Sequence, residues 1–344
     1  MNRIPFDDVR ETLAGVLRSL GFAAERAQAC AQLFAETTRD GVYTHGINRF
    51  PRFVATIQNG SVDVHAVPEK VGGFGALERW DGRRGPGNLN AWSAMERAIE
   101  LSRAHGIGCL TMRNTNHWMR GGTYGWQAAE AGVLGICWTN TMPNLPPWGG
   151  VEPVLGNNPL IFAVPRAGGH VVLDMAMSQF SYGTLESYRK RGEPLPVDGG
   201  FDAAGQLTRD AGAIEQTQRP LAVGYWKGSG LSMVLDMVAA MTSLGNATHQ
   251  LPADPLLESG ISQMFLAINP AALGHGTPGS GALGEEARAA EIADAIVASV
   301  HDSKPADAGK PVRYPGEETL RKRAENVRLG LPVEPAVWAQ ILAM

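Results

Sequence analysis

Ile107-Gly108-Cys109-Leu110-Thr111-Met112 is a short apolar run that begins directly after Gly106. A run of this length, bounded by glycine, reads as a strand. On its amino side, residues 88–105 carry Leu89, Trp92, Met95 and Ile99 at helical spacing and stop at Gly106. On its carboxyl side comes the polar stretch Arg113-Asn114-Thr115-Asn116-His117-Trp118. A short helix over 123–131 and a buried strand over 133–139 then follow. Helix, strand, helix and strand in succession predict an α/β (α+β) fold class. Two more strands are expected at 160–164 and 170–174. Between them and the strand over 133–139, the Pro- and Trp-rich segment 141–150 must be loop, because its prolines cannot sit in a central strand.

Outward from this middle the pattern turns helical. Val9, Leu13, Val16, Leu17 and Leu20 form one stripe that Gly21 ends, and a second helix over about 24–38 buries Ala27, Cys30, Ala31 and Phe34. The polar, proline-containing stretch 59–75 reads as a boundary. A long buried helix is expected from Ser229 to about residue 244, a strand over 261–268, loop over 270–284, and helices over 285–300, 316–329 and 334–343. Helix-rich ends around a strand-rich middle predict two lobes.

The chain has 344 residues, 44% hydrophobic and 19% charged, which suits a folded protein with ample core and argues against disorder. A net charge of -4 leaves no electrostatic footprint for nucleic acid. Cys30, Cys109 and Cys137 are sparse and lack CxxC spacing, so they read as reduced, buried thiols, and no metal site is expected. The first residues lack a signal-peptide core, and no apolar run approaches the ~20 residues of a membrane span. A cytoplasmic protein is expected.

Gly274-His275-Gly276-Thr277-Pro278-Gly279 and Gly279-Ser280-Gly281-Ala282-Leu283-Gly284 both match G-x-G-x-x-G. A dinucleotide fingerprint must follow a strand tightly and open a helix. The first copy contains Pro278 and opens no helix. The second lies more than ten residues past its strand and puts Glu285 and Glu286 in the first helical turn, where they would repel phosphate. Both read as surface loop, so any nicotinamide cofactor must bind on a fold other than Rossmann.

Chemistry concentrates in Gly41-Val42-Tyr43-Thr44-His45-Gly46-Ile47-Asn48-Arg49. A helical course from Thr44 would put positions 45 and 49 on one face. Histidine gives or takes a proton near neutral pH, and arginine grips a carboxylate through two parallel hydrogen bonds. Together they suit a substrate with a carboxylate and a carbonyl, with Thr44, Asn116 and His117 as further polar contacts. Trp118, Asn48 and Tyr43 are expected to serve a hydroxylated chain. In Gly224-Tyr225-Trp226-Lys227-Gly228-Ser229-Gly230, free amides at a helix start and the Lys227 charge could meet an anion, or form an ordinary helix start. Asp174, ending a strand, could contact a carboxamide or ribose, or cap a helix at Ser178.

Tyr43-Thr44-His45-Gly46-Ile47-Asn48-Arg49-Phe50-Pro51-Arg52-Phe53, Asn116-His117-Trp118-Met119-Arg120-Gly121-Gly122 and Gly224-Tyr225-Trp226-Lys227-Gly228 resemble blocks of the type-2 malate/L-lactate dehydrogenase family. The resemblance covers nearly the whole chain and implies a non-Rossmann oxidoreductase using NAD(H) or NADP(H). It implies a homodimer, with a helical domain from 1–70 together with about 285–344 and a mixed-sheet cofactor-binding domain over 71–284. The family's proton donor falls on His45. Its cofactor contacts fall on His170, Val171, Val172, Leu173, Asp174, Met175 and Ala176, on Trp226 and Lys227, and on Gly316, Glu317 and Glu318. The substrate expected from this is a small keto or hydroxy acid, most closely an α-keto sugar acid. Malate, L-lactate, ureidoglycolate and a cyclic imino acid are the alternatives, and a catalytically silent binding protein is the rival from another class.

Overall fold

The computed structural model describes residues 2–274 and 282–344. Most of both glycine-rich motifs therefore lies outside the described residues. A seven-stranded mixed sheet forms the centre, in the order Glu69–Phe74, Leu77–Asp81, Ile107–Asn116, Ser259–Ile268, Leu134–Thr139, Leu160–Val164, Val171–Met175. Only Leu77–Asp81 and Ile107–Asn116 run parallel, and the helix Gly87–His105 carries the chain between them. That crossover is what a parallel pair requires. The other five pairings are antiparallel. The sheet order is not that of a doubly wound fold.

One face of the sheet is covered by Gly87–His105 and Gly122–Glu130. Ala91, Ala94, Met95 and Ala98 pack with Leu110, Met112, Trp118, Tyr124 and Phe265 in one core cluster. The helix Trp226–Ser243 contributes Leu235 and Ala239 to a second cluster with Trp138, Leu160 and Met177. A third cluster belongs to the chain ends. Val9, Leu13 and Leu17 of Phe6–Ser19 pack against Ala27, Cys30 and Phe34 of Ala24–Arg39, together with Phe50, Phe53 and Ile341. The two ends also pair directly, Asn2–Ile4 running antiparallel to Leu331–Val333.

Several boundaries differ from expectation for identifiable reasons. The strand expected over 107–112 continues to Asn116, since Thr111, Thr115 and Asn116 are buried although polar. Its partner Ser259–Ile268 shifts register twice opposite this polar end, which bends the pair locally. The stretch 59–75 is not merely a boundary. It contains the edge strand Glu69–Phe74, whose residues are almost all exposed and show no buried alternation. The long helix starts at Trp226 rather than Ser229, so Trp226 and Lys227 occupy its first turn.

Candidate active site

His45 and Arg49 lie on two successive 3-10 turns, Tyr43–His45 and Ile47–Arg49, and not on the α-helix expected from Thr44. Gly46 separates the two turns with φ -92° and ψ -132°, outside both the helical and the extended regions. Thr38 Oγ1 accepts the Ile47 N–H at 2.9 Å and occupies the space a Cβ on residue 46 would need. The helix Phe50–Gln58 follows at once. Phe50 and Phe53 are anchored against Phe34, each with ring centroids 5.3 Å away. That anchorage fixes Arg49 and Arg52 at the wall of a pocket that also takes in Asn116, His117, Met119 and Glu258.

The imidazoles of His45 and His117 stack, with centroids 5.9 Å apart and planes inclined by 18°. Thr44 Oγ1 lies 3.0 Å from His45 Nδ1. His117 Nδ1 accepts the Met119 N–H at 3.0 Å, so in the neutral ring the proton sits on Nε2. Burial pushes the His45 pKa down to about 4, and the charges of Arg49, Arg120 and Arg52 push the same way. Burial, with Arg49, His45 and Arg52, likewise takes His117 well below the ordinary histidine range. Both rings are therefore neutral at neutral pH. Burial and the neighbouring Arg52 charge lower Arg49 to about 10, which leaves it charged.

Arg120 and Asp40 are additions that the sequence reading did not single out. Asp40, 4% exposed, takes Arg120 Nη1 at 2.7 Å and both Arg323 Nε and Nη2 at 2.8 Å. Burial alone would raise the Asp40 carboxyl. The Arg323 hydrogen bonds and the Arg120 and Arg39 charges outweigh it and hold the pKa below the usual carboxylate range. This network ties the helix carrying Asp40, the loop after His117 and the C-terminal helix Glu317–Leu329 together beside the site.

The segments expected to hold a cofactor are also brought together. Val172 N–H donates to Pro315 O at 2.9 Å. Gly316 sits against the strand Val171–Met175 with φ +97°, and a Cβ there would lie 3.0 Å from Val172 N. Only glycine combines that backbone with that approach. Asp174 Oδ2 accepts the Gly122 N–H at 2.8 Å, so it caps the helix Gly122–Glu130 and not one at Ser178. Just past the strand, Met177 and Gln179 pair with Val223 and Leu221, which leads the chain to Trp226 and Lys227.

Other expected contacts are placed differently. Lys227 N and Gly228 N already donate to Gly224 O and Val223 O, so the positive feature there is the exposed Lys227 ammonium rather than free amides. Glu317 accepts from Tyr314 N and meets His301 at 3.2 Å, while Glu318 binds Arg313 and Arg321. His170 Nδ1 accepts from Arg166 N. Trp118 is buried in the core against Tyr124 and Phe265, so it serves packing and not a substrate chain. Asn48 Nδ2 donates to Glu334 at 2.9 Å, and the Tyr43 hydroxyl oxygen accepts from Asn326 Nδ2 at 3.4 Å.

A mixed sheet that is not doubly wound carries paired histidines beside two arginines and a glycine turn docked on a strand end, an arrangement unlike the Rossmann type. The sequence model described as malate/L-lactate dehydrogenase matches residues 4–342, and the chain belongs to that family. It is 47% identical over 342 residues to 2,3-diketo-L-gulonate reductase of Citrobacter koseri, which covers 99% of this chain and 100% of that one. Among solved structures it resembles sulfolactate dehydrogenase of Methanocaldococcus jannaschii, with TM-score 0.88 and 26% identity over 99% of this chain and 95% of that one. Delta1-piperideine-2-carboxylate reductase of Pseudomonas syringae matches with TM-score 0.85 and 25% identity over 100% and 99%.

The family implies a nicotinamide cofactor. The residues present fit one. The Pro315–Gly316 turn leaves backbone against Val172 with no side chain in the way, and Asp174 offers an acceptor at the strand end. Lys227 is exposed and would offer a charge to a phosphate; among the described residues no carboxylate pairs with it. No helix among the described residues is long and apolar enough to cross a membrane.

Proposed function

We propose that the protein reduces an α-keto sugar acid, most closely 2,3-diketo-L-gulonate to 3-dehydro-L-gulonate, as a cytoplasmic homodimer. The observation that carries this reading is the stack of His45 on His117 at a pocket walled by Arg49 and Arg52. When bound, NADH or NADPH supplies the hydride. Arg49 holds the substrate carboxylate through paired hydrogen bonds. That carboxylate cancels the nearest positive charge opposing protonation of His45, so the imidazole's proton affinity rises as the substrate binds. His45 then stabilises the charge growing on the carbonyl oxygen and donates its proton there. Thr44 fixes the ring through Nδ1, and Asn116 and His117 complete the substrate wall.

His170, Val171, Val172, Leu173, Asp174, Met175 and Ala176, with Gly316, Glu317 and Glu318, are proposed to line the cofactor site, with Trp226 and Lys227 across from them. Glu317 and Glu318 contribute through their backbone, since their side chains are held locally. The helical part formed by 1–70 and about 285–344 carries His45 and Arg49, and the cofactor lies mainly on 71–284, with the turn at Gly316 reaching it from the helical part. A second copy is proposed to cover the apolar side chains Leu231, Val234, Met237 and Met241, which lie exposed along one helix, and Leu244 just past its end.

The test is a panel of 2,3-diketo-L-gulonate, pyruvate, oxaloacetate and Δ1-piperideine-2-carboxylate with each reduced cofactor, followed by loss of reduced-nicotinamide absorbance. The highest kcat/KM is expected on the diketo sugar acid. A higher value on another keto or imino acid assigns the enzyme to that substrate. No turnover of any would favour a silent binding protein.

A further inference from the structure

Beyond Arg49, two of the residues that line the pocket carry acceptors that the protein itself leaves largely unused. Asn116, 3% exposed, donates from Nδ2 to the carbonyls of Arg84 and Gly85, at 2.8 and 2.9 Å. Only the amide nitrogen can donate to carbonyls, so the orientation is fixed and Oδ1 is the atom left over. Among the described residues Oδ1 has no hydrogen-bond partner. Glu258, 7% exposed, lines the same pocket. Its Oε1 accepts the Met142 N–H at 3.3 Å, and its Oε2 lies 4.0 Å from Arg52 Nη2.

The segment carrying Glu258 is pinned to the helix beside it. Arg52 Nη2 donates to Pro255 O at 2.7 Å, and Asn59 Nδ2 donates to Leu256 O at 2.8 Å. Arg52 is thus partly committed to Pro255 and partly neutralised by Glu258, which leaves Arg49 as the grip for a carboxylate.

These groups discriminate by hydrogen-bonding type. A methyl, as in pyruvate, gives Asn116 Oδ1 and Glu258 nothing and leaves buried acceptors unpaired. A second carboxylate, as in oxaloacetate, brings more acceptors and faces the Glu258 charge. Hydroxyl groups donate, and a site built to pair with hydroxyls rejects analogues that lack them more strongly than an apolar pocket can. We propose that Asn116 Oδ1 and Glu258 form a hydroxyl-reading subsite that selects a keto acid with a hydroxylated chain. This rests on the keto-acid reading of the same site and extends it to the part of the substrate that never reacts.

The experiment compares kcat/KM for 2,3-diketo-L-gulonate and pyruvate in the wild type and in Glu258→Gln, which turns a pocket acceptor into a mixed donor and acceptor. The variant is expected to lower kcat/KM for the diketo sugar acid by about ten- to a hundredfold, and the preference over pyruvate by the same factor. Glu258→Asp keeps the charge toward Arg52 but withdraws the oxygens by one methylene, and should show the same selective loss in smaller degree. It decides the matter if the glutamine variant does not fold. An unchanged value, or an equal loss on both substrates, overturns the subsite. A wild type that reduces neither compound overturns the keto-acid reading, and the subsite falls with it.

Discussion

At the scale of single residues, the decisive feature is a histidine that is hard to protonate. His45 is taken to about 4 by burial and by Arg49, Arg120 and Arg52, with His117 stacked on it. A group that must be protonated to act, and whose pKa lies below the working pH, makes kcat/KM fall about tenfold for each unit of rising pH. Reduction of the keto acid at saturating reduced cofactor should therefore decline with slope near -1 between about pH 6 and about pH 8. A flat profile over that range would mean that the proton comes from another group. The residue types and order of Thr44, His45 and Arg49 were readable from the sequence. The neutral state of His45 was not, because it depends first on burial, which only the fold sets, and then on charges that include the distant Arg120. Glu258 was equally hidden, since only the docking of Pro255 and Leu256 onto the helix Phe50–Gln58 brings it to the pocket.

Among secondary elements, the site is held by one buried charge. Asp40, at the end of Ala24–Arg39, binds Arg120 from the loop after Ile107–Asn116 and Arg323 from the helix Glu317–Leu329. Removing one partner of a buried ion pair strands the others without compensation, typically at a cost of about 3–5 kcal/mol. Asp40→Ala should lose about that much in denaturant unfolding. A loss below about 1 kcal/mol would show that water replaces the carboxylate readily and that the network does not hold the elements together. Elements with strong apolar periodicity were legible: Leu160–Val164 appears as expected, and Ile107–Asn116 differs only at its polar end. The edge strand Glu69–Phe74 and the helices Tyr182–Arg191 and Ala211–Thr217 were missed. The edge strand hardly buries a face, and the two helices bury only Leu185, Ala211 and Ile214. The helix expected at 45–49 is broken at Gly46, where the chain docks closely on Thr38 and the Ile47 N–H bonds its hydroxyl, a contact that no local pattern encodes.

Across the whole molecule, the proposed homodimer accounts for an otherwise costly surface. Leu231, Val234, Met237 and Met241 recur along one side of Trp226–Ser243, with Leu244 just past its end, and all stand open to solvent. Apolar patches of this kind mark association surfaces more often than free ones. Met237→Glu should halve the mass measured by sedimentation while leaving the helical circular dichroism intact; an unchanged dimer would place the interface elsewhere. The mixed sheet was anticipated because several blocks of the chain resembled one family, and not because strand order can be derived from periodicity. Exclusion of the Rossmann fold, by contrast, followed from where the glycines fall relative to strand and helix.

The account stands most directly on the role of His45 as proton donor to the keto oxygen. His45→Ala, assayed on 2,3-diketo-L-gulonate with NADH and with NADPH, should lower turnover by about 10²–10⁴. Cofactor affinity, titrated separately, should be retained. Turnover equal to the wild type would contradict it.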